Sequence, residues 1–157
     1  MKILALRGEN LASLSAPFAL EFQSPAWQQQ GLFAITGRTG AGKSTLLDAL
    51  CLALYARMPR LDRAVSVTVE GVGANDPRTI ITRGASHAWA ECEFMGNDGL
   101  PYRSRWSVRR ARGRAKGRLQ ADEMQAWCLA HTPPRALGRT KTEVLRALVL
   151  ALGLSFE

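Results

Sequence analysis

Gly37-Arg38-Thr39-Gly40-Ala41-Gly42-Lys43-Ser44 decides how this 157-residue chain is read. The eight residues fit the spacing G-x-x-x-x-G-K-[ST], a glycine-rich loop that cradles phosphates. Glycines let the backbone bend around an anion and turn successive N–H groups inward. The start of the following helix adds partial positive charge at the same point. Lys43 is placed to reach the β- and γ-phosphates, Ser44 to ligate Mg²⁺, and Thr45 to donate to the α-phosphate. The expected nucleotide site is therefore Gly37, Arg38, Thr39, Gly40, Ala41, Gly42, Lys43, Ser44 and Thr45.

The flanks agree with that placement. Leu32-Phe33-Ala34-Ile35-Thr36 is a nearly continuous apolar run, which predicts a strand buried on both faces. From Lys43 to Ala56 apolar residues occupy almost every side, which predicts a central helix. Upstream, residues 2–7 and 18–22 read as short strands. Downstream, residues 57–80 carry Pro59, Gly71, Gly73 and Asn75-Asp76-Pro77 and read as irregular, with Val65 to Val69 a candidate edge strand. Residues 89–94 and 102–108 alternate around the turn Gly96-Asn97-Asp98-Gly99, which predicts a hairpin. Glu123 to Leu129 reads as a further strand, broken by Pro133-Pro134. Thr140-Lys141-Thr142-Glu143 fits a capping box, and Gly153 suits the stop of the helix that follows. The expected fold class is α/β: a mixed sheet around a central P-loop helix, with antiparallel hairpins.

Charge is concentrated. Lys and Arg total 21 against 13 Asp and Glu, a formal net charge of +8. Arg103, Arg105, Arg109, Arg110, Arg112, Arg114, Lys116 and Arg118 lie in one window, and no acid occurs from Gly99 to Ala121. Without those eight residues the chain is in formal balance. Such a window neutralises phosphates independently of base sequence. It also suits a solvated loop made mobile by Gly113 and Gly117, and the sequence leaves both readings open.

Cys51, Cys92 and Cys128 are widely spaced and sit in apolar runs, as expected of reduced, buried thiols. The N-terminal apolar stretch is too short for a signal peptide, and no run approaches a membrane span. A cytoplasmic protein without a membrane partner is expected. Hydrolysis needs an acid-bearing strand to hold the metal and position water. Val65 to Glu70 alternates too strongly for that strand, and Glu91 and Glu93 fall in an alternating strand where they are expected to face solvent.

Lys43-Ser44-Thr45-Leu46-Leu47-Asp48-Ala49-Leu50 resembles the P-loop helix of SMC-type ATPases. The opening strand with Asn10-Leu11-Ala12-Ser13 is similar to the first strand and turn of that group. Residues 31–37 and 48–55, with Pro59-Arg60-Leu61, Ile81-Thr82-Arg83 and the closing Gly153 to Glu157, narrow the resemblance to the SbcC family, the ATPase subunits of SbcCD nucleases. The resemblance implies the N-terminal lobe of an ABC/SMC-type ATPase head, covering residues 1–157. A coiled coil and a C-terminal lobe with the signature motif, Walker B and switch His would lie outside this chain. The family's Q-loop would begin a few residues past Glu157. ATP and Mg²⁺ are the implied cofactors. An SbcD-like nuclease subunit, a second head dimerised across ATP, and DNA are the implied partners. Thr82 and Arg83 align with a segment near the nucleotide, and Ala12 stands where some relatives carry a nucleotide-contacting Arg. Arg109, Arg110, Arg112, Arg114, Lys116 and Arg118 are the implied DNA contacts.

Two other functions fit the motif less well. A nucleotide kinase should show an arginine-bearing lid, and a GTPase should show N-K-x-D; neither is present. A nucleic-acid module with a vestigial P-loop should not have kept both Lys43 and Ser44.

Overall fold

Alternation of apolar and polar residues builds most of the frame. The computed structural model describes residues 1–25, 34–61, 68–69, 72–73 and 75–156. In chain order these form strands β1 (Lys2–Glu9) and β2 (Phe18–Glu21), then helix α1 (Lys43–Tyr55). The short pair β3 (Thr68–Val69) and β4 (Val72–Gly73) follows, and then β5 (His87–Met95) and β6 (Pro101–Arg109). The remainder is β7 (Glu123–Cys128), β8 (Arg135–Ala136) and α2 (Lys141–Leu152). Among the described residues six strands make one sheet in the order β2-β1-β5-β6-β7-β8, and β3 pairs with β4.

The sheet has one dry face and one half-wet face. On β5, Ala88, Ala90, Cys92 and Phe94 point inward; on β6, Tyr102, Ser104, Trp106 and Val108 do so. Helices α1 and α2 pack against that side, α1 on β5 and β6 and α2 on β7. Leu52, Leu148, Leu152 and Val144 reach the same core, and each fully buried aliphatic side chain contributes about 1.5–3 kcal/mol. Buried Trp106 satisfies its indole N–H by donating to Asp122 Oδ2 at 2.7 Å. Lys141 Nζ donates to the same carboxylate at 2.7 Å and ties the first turn of α2 to the β6–β7 connection.

The opposite face carries charges in register. Arg7, Glu91 and Arg105 sit opposite one another across β1, β5 and β6, and Glu93 faces Arg103. Arg7 Nη1 donates to Glu93 at 3.0 Å, Arg103 Nη2 to Glu93 at 2.7 Å and Arg105 Nη1 to Glu91 at 3.2 Å. Glu91 and Glu93 are thus covered by arginines, with side chains only 12% and 13% exposed, rather than open to solvent as their alternation suggests. Arg105 also lies over the Trp89 ring at 4.0 Å.

Two expectations are corrected. Where a mixed sheet is expected, every strand pairing among the described residues is antiparallel. Of the expected strand 32–36, residues 32 and 33 lie outside the described residues, and Ala34, Ile35 and Thr36 form no ladder and are exposed. Ile35 is 47% exposed. A strand buried on both faces needs paired neighbours and cover on each face, and residues 34–36 have neither among the described residues. Most of Val65 to Glu70 likewise lies outside the described residues.

Candidate nucleotide site

The loop from Gly37 to Gly42 is shaped by backbone conformations that favour glycine. Gly40 has φ +83° and Gly42 φ +89°, both left-handed. A Cβ at Gly42 would also come within 2.8 Å of the Leu14 side chain, which would have to shift. Around Gly40 there is open space within 4 Å. Lys43 Nζ curls back over the loop, donating to Gly37 O at 2.7 Å and Arg38 O at 2.9 Å. Arg38, Thr39, Ala41 and Ser44 are exposed, while Thr45 is buried.

Helices α1 and α2 treat their N-termini differently. At α2 the Thr140 side chain accepts from Glu143 N–H, and Glu143 accepts in return from the Thr140 backbone. At α1 the N-cap is Gly42, with no side-chain cap and no acid in the first turn. The first N–H groups of a helix have no intrahelical acceptor, and the dipole makes them receptive to an anion. The loop, the open space at Gly40 and the uncapped helix start together fit a nucleotide phosphate chain. Gly37 to Lys43 would hold the phosphates and Ser44 would offer its hydroxyl to Mg²⁺.

A second turn braces the loop. Asn10 and Ala12 hold φ of +57° and +46°, a left-handed conformation that non-glycine residues adopt at a cost of about 1–2 kcal/mol each. Their neighbours Ser13 and Leu14 pack against Gly42. The strain is held by bonds from the 80–82 segment: Ala12 N–H donates to Ile80 O at 2.7 Å, Thr82 N–H to Asn10 O at 2.9 Å, and Thr82 Oγ1 to Ala12 O at 2.9 Å. Thr82 therefore supports the turn beside the P-loop. Arg83 instead lines a cleft with Lys116 and Arg118.

Sequence reasoning missed an ion pair between a buried acid of α1 and a half-exposed arginine beyond its end. Asp48 is 4% exposed, and Arg60 Nε approaches its Oδ2 at 3.0 Å from the short turn Pro59–Leu61. Burial pushes the Asp48 carboxyl above its ordinary range, and Arg60 opposes that shift. The signal was available: an acid in an apolar helix needs a cation, and Arg60 lies one loop away.

Other chemistry is not assembled. Burial pushes the Cys92 thiol up to about 12, too high for a thiolate at neutral pH. Among the described residues no three His, Cys, Asp or Glu side chains converge as a metal site. No helix there is long and apolar enough to cross a membrane.

The basic window is divided by the fold. Arg103 and Arg105 are in the ion-pair ladder, and exposed Arg109 lies 3.6 Å from Glu123. Arg110 is only 6% exposed and donates to Ala85 O at 3.0 Å and Gly117 O at 3.2 Å. It holds the loop together from inside. Arg112, Arg114, Lys116 and Arg118 are exposed.

An AAA domain family profile matches residues 5–126. The chain is 45% identical, over 100% of its length, to the SbcC component of the SbcCD nuclease of Rhodobacter capsulatus. It is 44% identical, over 99% of its length, to the same component of the SbcCD nuclease of Pseudomonas aeruginosa. Over 92% of its length it is 32% identical to a DNA double-strand break repair Rad50 ATPase of Methanopyrus kandleri. The chain spans 13% of the length of each of these relatives.

Proposed function

The chain belongs to the AAA domain family, and from that premise we propose that it is the ATP-binding N-terminal lobe of an SbcC-like ATPase head. The whole protein would couple ATP turnover to the cutting of DNA double-strand ends and hairpins, with an SbcD-like nuclease subunit and a second head across ATP. The observation that carries this reading is the uncapped start of α1 behind a loop bent by Gly40 and Gly42, with Lys43 curled over it. ATP supplies the transferable phosphoryl group and Mg²⁺ neutralises charge on its phosphates when both are bound. The chain's own residues would bind and orient: backbone N–H groups of the Gly37 to Lys43 loop would hold the phosphates, Lys43 would add its charge there, and Ser44 would offer its hydroxyl to the metal. Exposed Ala34 to Thr36, beside an open groove of about 410 Å³ lined by Leu20, Phe22 and Leu46, support a reading in which a further lobe completes the sheet.

Nucleotide titration of the chain against its Lys43→Ala variant tests the reading. The wild type should bind Mg–ATP weakly and hydrolyse it little, because the acid that positions water is expected in the C-terminal lobe. Lys43→Ala should lower the affinity at least about tenfold, the loss of one charge-assisted phosphate contact. Equal binding by both proteins would remove the P-loop from the proposal, and robust turnover by the chain alone would contradict the split head.

A further inference from the structure

Residues 10–14 make a tight turn that closes on itself. Leu11 N–H donates to Leu14 O at 2.9 Å, and Leu14 N–H to Leu11 O at 2.7 Å. Asn10 and Ala12 within it hold left-handed backbone, which persists only where the surroundings over-determine it. The surroundings here are residues 80–82. Buried Leu11 bridges to Ile81, and two backbone bonds cross between the segments, from Ala12 N–H to Ile80 O and from Thr82 N–H to Asn10 O. The third bond belongs to a side chain: Thr82 Oγ1 donates to Ala12 O at 2.9 Å.

On its other side the turn meets the phosphate loop. The Leu14 side chain and Ser13 Oγ lie so close to Gly42 that an added Cβ would come within 2.8 Å and 3.4 Å of them. Gly42 is the N-cap of α1, where the open N–H groups begin. A displacement of the turn is therefore a displacement of the wall behind those groups.

We propose that Thr82 is a positioning residue of the P-loop: its hydroxyl pins Ala12 O, fixes the strained turn and so holds Ser13 and Leu14 against Gly42. The inference rests on the nucleotide reading above and gives Thr82 no contact with the nucleotide. Donors already held in place bind an anion without first being ordered, so a wall that wanders lowers affinity. Among the crossing bonds the hydroxyl is the one that a side-chain change removes, since the other two are backbone bonds that any residue at 82 except proline retains.

Three variants test this. Thr82→Val keeps the side-chain shape and both backbone bonds, so it should fold; Thr82→Ser keeps the hydroxyl. Thr79→Val is the control, because Thr79 Oγ1 makes a bond of the same kind, to Asp76 O at 2.7 Å, within its own short turn. In amide proton–nitrogen spectra of the nucleotide-free chain, Thr82→Val should move the Gly42 and Lys43 resonances, and Thr82→Ser and Thr79→Val should leave them in place. In Mg–ATP titrations well below the unfolding midpoint, Thr82→Val should bind about fivefold more weakly, Thr82→Ser within about twofold of the wild type, and Thr79→Val like the wild type. Both valine variants should lower the midpoint by about 2–4 °C. Lost stability alone leaves the unfolded fraction negligible at that temperature and does not change affinity. Thr82→Val binding as the wild type does, or Thr79→Val weakening it equally, overturns the proposal. Weaker binding by Thr82→Val with unmoved Gly42 and Lys43 resonances overturns it in favour of direct contact. A wild type that binds no Mg–ATP, with those resonances displaced in Thr82→Val, upholds the clamp and sinks the nucleotide reading.

Discussion

Asp48 and Glu93 are carboxylates that the fold pushes in opposite directions. Burial raises the Asp48 pKa above its ordinary 3.8, with Arg60 only partly offsetting it. Its folded form favours the proton, so the stability linked to Asp48 is fully present below the unfolded pKa and is lost as pH rises through the folded one. Thermal melts from pH 3 to 7 should therefore show the wild type losing ground to Asp48→Asn as pH rises. Arg60→Ala, which leaves the buried acid without that cation, should cost about 1–3 kcal/mol at pH 7; Arg60 is half-exposed, so solvent screening places the cost toward the lower end. At Glu93 burial also works against charge, but hydrogen bonds from Arg103 and Arg7 outweigh it and hold the pKa below its ordinary 4.5. That contribution is present above pH 4.5 and is lost as pH falls through the folded pKa. Glu93→Gln should be about 1–2 kcal/mol less stable than the wild type at pH 7, with the gap closing in acid. A gap that stays constant down to pH 3 would mean the carboxylate's charge plays no part in the ladder.

Elements whose determinants are local in sequence are the ones that sequence reading places well. Helix α2 starts at the expected Thr140 because both halves of its capping box lie within three residues. Thr140→Ala should cost about 1 kcal/mol and lower the midpoint of thermal unfolding by about 2–4 °C. The hairpin of β5 and β6 was legible for a similar reason, its turn and its alternation being adjacent. Non-local determinants were not legible. The apolar run 34–36 has strand composition but no neighbour to pair with among the described residues. The two residues of β8 carry no periodicity and form a strand only by pairing with Trp127 and Cys128. The P-loop was read residue by residue from its spacing, yet its brace at Asn10 to Leu14 and the clamp by Thr82 depend on contacts across about 70 positions. The basic window was legible as charge but not as a shape. Nothing in the run of arginines marks Arg110 as the buried one or brings Arg83 to Lys116.

At the scale of the whole molecule, the net charge of +8 is not evenly available. Arg103 and Arg105 are engaged across the sheet and Arg110 is internal, so the outward excess gathers on the far loop. The proposed nucleotide site, by contrast, lies at the start of α1, and α1 packs on β1, β5, β6 and α2 at once. A ligand that caps this helix therefore stabilises the entire cooperative core and not a loop alone. Mg–ATP at about ten times its dissociation constant should add RT ln 11, about 1.4 kcal/mol, and raise the unfolding midpoint by about 3–6 °C. Lys43→Ala should melt like the wild type without nucleotide, since Lys43 Nζ donates to carbonyls of the exposed residues Gly37 and Arg38, and should show no rise with Mg–ATP. Thr140→Ala should start lower but keep the full rise, because its cap belongs to the other helix and the two effects add. If Lys43→Ala retains the Mg–ATP shift while Thr140→Ala loses it, the nucleotide is stabilising the chain somewhere other than the start of α1.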